Sequence, residues 1–251
     1  NTAVGRGALN GNTTADENTA VGYASLIANT TGNRNTAIGK DALESNTVGA
    51  NHVAVGYHAL QANTDGASNT ALGRSSLQTN TTGNYNVAVG YYALESNTTA
   101  AYNTACGFKA LQANTTGHQN IAVGYYALQN ATTANGNVAI GNQALEDCTT
   151  GSYNVAVGGD AGRDITTGAV NTAVGHGALD VNTTGSDNTA IGGNALGANT
   201  TAAGNTAVGA SSLNGNTTGH SNTGMGVLAL SANTTGDNNS AFGYYSLKDN
   251  T

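Results

Sequence analysis

The residues able to do chemistry are few and thinly spread. The five histidines are His52, His58, His118, His176 and His220, and the two cysteines are Cys106 and Cys148. A catalytic site needs a nucleophile, a base and an orienting group gathered in one pocket. A zinc site needs close Cys/His spacing, which this chain lacks. The Gly-Gly-x-Gly-x-Asp nonapeptide of calcium-binding β-rolls is also missing. Asp160, Arg163 and Asp164 crowd one short stretch, as a local ion or ligand site or as a solvated polar patch. Asn-Thr-Thr recurs along the chain, where it matches a glycosylation acceptor and equally the chemistry of a corner. Tyrosines gather mid-chain at Tyr85, Tyr91, Tyr92, Tyr102, Tyr125, Tyr126 and Tyr153. A tyrosine offers a flat apolar face and a polar tip, suited to carbohydrate or protein contact. Stacking in ladders across the seams of a trimer is the other reading. Tyr91, Tyr92, Tyr125 and Tyr126 are the candidate surface contacts.

What must position these groups is a repeat. Asn-Thr-Ala-Val-Gly opens at Asn1 and Asn18 and recurs with variation from Asn35 to Asn239, every step being 17 residues without insertion or deletion. Fourteen full units and a 13-residue fifteenth complete the 251 residues. The consensus is N-T-A-V-G-x-x-A-L-x-x-N-T-T-G-x-x. Column five is always Gly, column thirteen always Thr, and column nine Leu except at Gly162. The histidines fall in columns one, seven, sixteen, six and sixteen, so few could meet. No inserted loop exists on which a site could be mounted. The expectation is therefore no catalytic residues, no cofactor and no metal. The cysteines lie in different columns more than two coils apart, which is too far for a disulfide at ~4.8 Å per coil.

A period of 17 is too short for paired-helix repeats. It suits one turn of a parallel β-solenoid with two short strands. Thr-Ala-Val-Gly alternates as a strand should, and Ala-Leu makes a second, shorter segment. Gly5, Gly22 and Gly90 in column five, with Asn12, Asn29 and Asn97 in column twelve, are read as corner residues because both types tolerate positive φ. The expected fold is an all-β parallel β-solenoid, or β-roll, of fifteen 17-residue coils in one domain spanning residues 1–251. Fifteen coils at ~4.8 Å each predict a rod about 70 Å long.

Side chains alternate across a strand, so columns three and four face opposite ways. Column four is read as inward, together with column nine. The predicted core ladders are Val4, Val21, Val89, Val123 and Val174 in column four, and Leu9, Leu26, Leu94, Leu111, Leu128 and Leu179 in column nine. Columns three and eight then face outward, where only Ala, Ser or one Gly occurs. Either another surface lies close by, or short coils leave no room for anything larger. Ala88 and Ala93 are accordingly the candidate contacts of a homotrimer, since identical parallel rods associate with cyclic symmetry. In the unit beginning at Asn154, Leu becomes Gly162 while the column-twelve Asn becomes Ile165, which looks like compensation within one core. Ala131 and Cys148 precede Ile165 in that column. Column twelve is therefore expected to lie at least partly inside, its Asn side chains forming a ladder.

Composition narrows the function. Charged residues are 8% of the chain and the net charge is -7, with seven Lys and Arg spread singly. This spread is taken to form no basic stripe, so nucleic acid is not expected as a partner. No apolar run approaches ~18 residues, so no transmembrane segment is expected. The chain opens on a repeat boundary, which predicts an internal segment of something longer.

The unit Asn-Thr-Ala-Val-Gly-Tyr-x-Ala-Leu-x-x-Asn-Thr-Thr-Gly resembles the repeats of phage tail fibres and related surface proteins that end in an intramolecular chaperone. Its Asn-Thr-Ala-Val-Gly core is similar to the head repeats of trimeric autotransporter adhesins, although the unit here is longer. The resemblance implies trimers of parallel β-rolls. It also implies a structural shaft that supports attachment to a host cell or surface, extracellular or on a virion tail, with receptor or glycan engaged through other parts of the chain. Two other functions fit the repeat. One is a subunit of a multi-copy extracellular filament or sheath. The other is an ice-binding solenoid using the Thr13 and Thr14 columns, although adjacent threonines cannot share one flat strand face.

Overall fold

The computed structural model describes residues 1–250. The chain is an all-β parallel solenoid with one three-residue strand per coil. It comprises two compact units, Asn1–Val123 and Gly124–Thr251. In the first, β1 (Thr2–Val4), β2 (Thr19–Val21), β3 (Thr36–Ile38), β4 (Val53–Val55), β5 (Thr70–Leu72), β6 (Val87–Val89), β7 (Thr104–Cys106) and β8 (Ile121–Val123) pair in sequence order. In the second, β9 (Val138–Ile140), β10 (Val155–Val157), β11 (Thr172–Val174), β12 (Thr189–Ile191), β13 (Thr206–Val208), β14 (Thr223–Met225) and β15 (Ser240–Phe242) do the same. Every pairing is parallel, and each residue sits against its equivalent 17 positions on, as Ala71 does against Ala88.

The second strand expected over Ala-Leu does not form. That stretch is a tight turn in which columns seven and nine take positive φ, as in Tyr92 at 59° and Leu94 at 51°. Within the coil, the N–H groups of Ala93 and Asn97 donate to the carbonyls of Gly90 (3.4 Å) and Leu94 (3.2 Å). The intervening N–H groups bond to neighbouring coils: that of Tyr92 donates to Arg74 (3.1 Å) and that of Leu94 to Ala110 (3.1 Å). Alternate donors therefore serve the turn and the stack. The left-handed conformation costs a leucine about 1–2 kcal/mol, and the bonds to both neighbouring coils hold it there. Column five does turn on positive φ, with Gly5 at 129°, Gly22 at 141° and Gly90 at 134°. Asn12, Asn29 and Asn97 do not, and their place in the coil has another cause, given below.

The alternation of columns three and four holds, but its phase is the reverse of the expected one. Column three is the inward position: Ala20, Ala37, Ala54, Ala71 and Ala88 are completely buried. Column four stands on the outer face. Val4 is 57% exposed and Val123 36%, while Val21, Val89 and Val174 are half-buried. Ala88 and Ala93 thus lie inside their own chain, not on a surface offered to another. The reason is space. Leu26, Leu94, Leu111, Leu128 and Leu179 are fully buried, and Leu9, in the end coil, is 9% exposed. Each such leucine fills the coil from one wall and leaves room for little more than a methyl group opposite.

Gly224 shows how tight that room is. A Cβ there would lie 2.6 Å from Ser212 Oγ and 3.3 Å from Leu213 Cγ. Columns three, eight and nine therefore converge on one interior. Column eight accepts Ser because its hydroxyl can donate to the column-five carbonyl, as Ser76 does to Gly73 at 2.9 Å. Replacing Leu94 with Ala should cost about 2–5 kcal/mol, since the cavity cannot collapse against neighbouring coils of fixed register. Val89→Ala, on the outer face, should cost less than about 1 kcal/mol. Urea denaturation of the two variants measures the contrast.

Candidate functional surface

The polar residues of the interior are structural. Column-twelve asparagines form a ladder: Asn46 Nδ2 donates to Asn29 Oδ1 (2.8 Å), Asn63 to Asn46 (2.8 Å), Asn80 to Asn63 (3.0 Å) and Asn97 to Asn80 (2.8 Å). Each also donates to the column-fifteen carbonyl of its own coil, as Asn46 does to Gly49 at 2.9 Å. The column-one asparagines close the coil on the same carbonyl, Asn35 Nδ2 reaching Gly49 at 2.9 Å. Their Oδ1 atoms accept from the next column-one N–H, as Asn18 does from Asn35 at 2.8 Å. Both columns are Asn because a buried amide can donate and accept at once. The glycosylation pattern is thereby answered: its asparagine is buried in a ladder.

His52 occupies column one, where the other coils have Asn. The Asn69 N–H donates to its Nδ1 (3.2 Å), so the proton sits on Nε2, which donates to the Gly66 carbonyl (2.6 Å). Burial pushes its pKa from 6.5 down to about 4, against the smaller opposing effect of the bond to Gly66. The unfolded chain therefore binds a proton between these values that the folded chain does not. Stability is unaffected above pH ~6.5 and falls as pH drops toward ~4, by about 2–3 kcal/mol. His52→Asn should remove that component. Denaturation midpoints of parent and variant, compared at neutral pH and near pH ~4.5, give the difference.

The other histidines are not gathered. His118 and His220 accept through Nδ1 from the N–H groups of Ala101 (3.0 Å) and Ala203 (3.1 Å), a place that Asn33 and Ser152 take in other coils. His58 stacks on Tyr57 with centroids 3.7 Å apart and lies 3.3 Å from Asp41. His176 is 3.6 Å from Asp160. The column-thirteen hydroxyls are spent on the stack, Thr30 Oγ1 donating to the Thr47 carbonyl at 3.0 Å. This leaves them poorly placed as an ice-facing row.

Around Gly162, Ile165 fills the space of the missing leucine. A Cβ on Gly162 would lie 2.9 Å from Ile165 Cδ1 and 3.1 Å from Leu145 Cδ2. Arg163 joins Asp164 (2.8 Å) and Asp180 (3.2 Å), so the charges of that patch are turned on one another. Cys148, in the Asn column, donates to the Gly151 carbonyl (3.2 Å), and burial pushes its thiol up to about 12. Cys106 is exposed in column four, and both cysteines are free. Among the described residues no group of three or more His, Cys, Asp or Glu is placed to hold a metal, and no pocket is found.

What remains is the outer surface, where two rows stand out. The first is column four, an apolar stripe along each unit. It includes Val4, Ile38 and Leu72 in the first unit and Ile140, Ile191, Met225 and Phe242 in the second, all at least 40% exposed. The second is column six of the first unit, which reads Arg6, Tyr23, Lys40, Tyr57, Arg74, Tyr91 and Phe108. Cations and rings alternate there within 5.4–5.9 Å of each other. Tyr91 also meets Tyr92 edge-on at 4.1 Å, and Tyr125 meets Tyr126 at 4.0 Å. Tyr85 stacks on Tyr102 at 5.3 Å. Of these tyrosine pairs, Tyr85 with Tyr102 stacks from coil to coil, while the other two are contacts within one coil. The cation alternation is hidden when tyrosines are read by themselves, and aligning the repeat and reading down column six would have shown it.

No helix among the described residues is long and apolar enough to cross a membrane. Comparison with protein-family models, with curated proteins and with solved structures returned no match to this chain.

Proposed function

We propose that the chain is the structural shaft of a trimeric extracellular surface fibre, of the phage tail-fibre or bacterial adhesin kind, and that its role is mechanical, not catalytic. The observation that carries this reading is the column-four stripe. Soluble monomers rarely leave long contiguous apolar rows in water, and here Val, Ile, Leu, Met or Phe fills the outward position in coil after coil. A row that repeats with the coil matches the same row on a second and third parallel chain, and cyclic symmetry closes the contact. The repeat's resemblance to fibre and adhesin modules supports the same assignment. The trimer contact moves accordingly from Ala88 and Ala93 to column four. A multi-copy filament would use the same stripe but in open-ended association.

Native mass spectrometry tests the proposal. Three chains are expected for the parent, and single chains with unchanged β-sheet circular dichroism for the double variant Val55→Glu, Val89→Glu. A parent that is monomeric at micromolar concentration overturns the trimer, and unbounded polymers favour the filament.

A further inference from the structure

We propose that the column-six row of the first unit is a binding site for a linear acidic polysaccharide laid along it, with one carboxylate to each cation. In six successive coils the row alternates strictly: Arg6, Tyr23, Lys40, Tyr57, Arg74, Tyr91. Tyr23 lies between Arg6 (5.9 Å) and Lys40 (5.8 Å), and Tyr57 between Lys40 (5.4 Å) and Arg74 (5.4 Å). Tyr91 has Arg74 on one side (5.5 Å) and the parallel ring of Phe108 on the other (5.6 Å).

The fold does not require this order. The same column of the second unit reads Tyr125, Asn142, Gly159, His176, Gly193, Ala210, Val227 and Tyr244, with no Lys or Arg, on the same parallel register. Two of the three cations are also not consumed internally. Among the described residues neither Arg6 nor Arg74 pairs with a carboxylate, and Lys40 shares Asp41, 3.4 Å away, with His58. A chain of net charge -7 has here collected three of its seven basic residues in one line.

The ring geometry selects the partner. Each tyrosine already has cations or rings against it, at 5.4–5.9 Å along the row and with His58 stacked on Tyr57 at 3.7 Å, which crowds the ring faces that single-stranded nucleic acid needs for stacking. The row presents to solvent ring edges, phenol hydroxyls, guanidinium groups and an ammonium group. These are donors for carboxylates and sugar hydroxyls. Successive cations are two coils apart, ~10 Å. That is close to the repeat of an extended polysaccharide carrying one carboxylate per disaccharide, which sets the intervening neutral sugar over the tyrosine hydroxyl. The mutual stacking fixes the side chains before binding, which lowers the cost of ordering them.

Titration calorimetry of the whole chain with hyaluronan oligosaccharides tests this, with neutral maltodextrin and poly(dT) as competitors in parallel. Saturable hyaluronan binding that weakens with salt is expected, together with no maltodextrin binding. The combined variant Arg6→Gln, Lys40→Gln, Arg74→Gln should lose at least about tenfold in affinity. Arg6→Lys with Arg74→Lys should retain most of it. Unchanged thermal unfolding of all variants excludes a folding defect. No hyaluronan binding, binding indifferent to the triple substitution, or tighter binding of poly(dT) would each overturn the proposal.

Discussion

Ala88→Arg should unfold the coils around β6, with a loss of at least about 5 kcal/mol. Ala88 is completely buried and sits in register between Ala71 and Ala105, with the leucine row filling the rest of the interior. An arginine there overpacks the coil, and among the described residues no carboxylate lies beside Ala88 inside the coil to pair with it. Overpacking alone costs about 1–3 kcal/mol, and a buried charge without a partner costs several more. The chain cannot relieve either by moving one coil, because the stack fixes its position through bonds such as Gly90 N–H to the Leu72 carbonyl (2.8 Å). Loss of β-sheet circular dichroism and of soluble expression is the expected result. The outcome that would restore column three to the surface is a well-folded Ala88→Arg monomer.

Gly90→Ala should cost about 3 kcal/mol or more. Two effects combine at column five. The backbone is at φ 134°, outside the ordinary range of residues with a side chain, and an added Cβ would overlap the Gly107 carbonyl of the next coil. Column fifteen separates the two. Gly83 is similarly crowded, since a Cβ there would overlap the Ala100 carbonyl, yet its φ is not positive and alanine occupies that column at Ala100, Ala134 and Ala202. Crowding is therefore relieved by small shifts, whereas crowding at positive φ is not. Gly83→Ala should cost less than about 1 kcal/mol, and thermal denaturation of the pair isolates the backbone conformation as the cause. Equal effects would assign the cost to crowding.

The period, the parallel stacking, the leucine row and the buried Asn column all follow from the repeat read as columns. Column constancy directly reports what neighbouring coils demand of each other. Two features do not follow. The first is which strand face is inside. Hydrophobicity favours valine over alanine as core, but the interior is limited by volume, and Leu94 with the Asn ladders leaves space only for Ala88 opposite. Smallness was the signal, and it marked an interior, not an interface. The second is the turn at columns seven to nine. Leucine is among the residues least expected at positive φ, so the Leu column hides it except at Gly162, the one residue there that tolerates the conformation (φ 58°). Columns seven and seventeen do carry a hint: Gly7, Gly177, Gly136 and Gly204 stand there, with Asp41, Asn51, Asn194 and Asn238, all at positive φ. These are the types that tolerate that conformation. Column one shows His52 in its own way, as the one departure from Asn there.

The single register step of the ladders has a kinetic meaning. Contacts between coils join residues 17 apart, as in Thr19 with Thr36, in a chain of 251. The relative contact order is roughly 0.07, in the range of fast-folding helical bundles and far below ordinary β-sandwiches. Closing the first coil is costly, because left-handed leucines and orphaned amides are then stabilised from one side at most. Each later coil finds a finished edge that dictates its hydrogen bonds. Folding in such a system is nucleation followed by one-dimensional growth, with every completed coil acting as the template for the next.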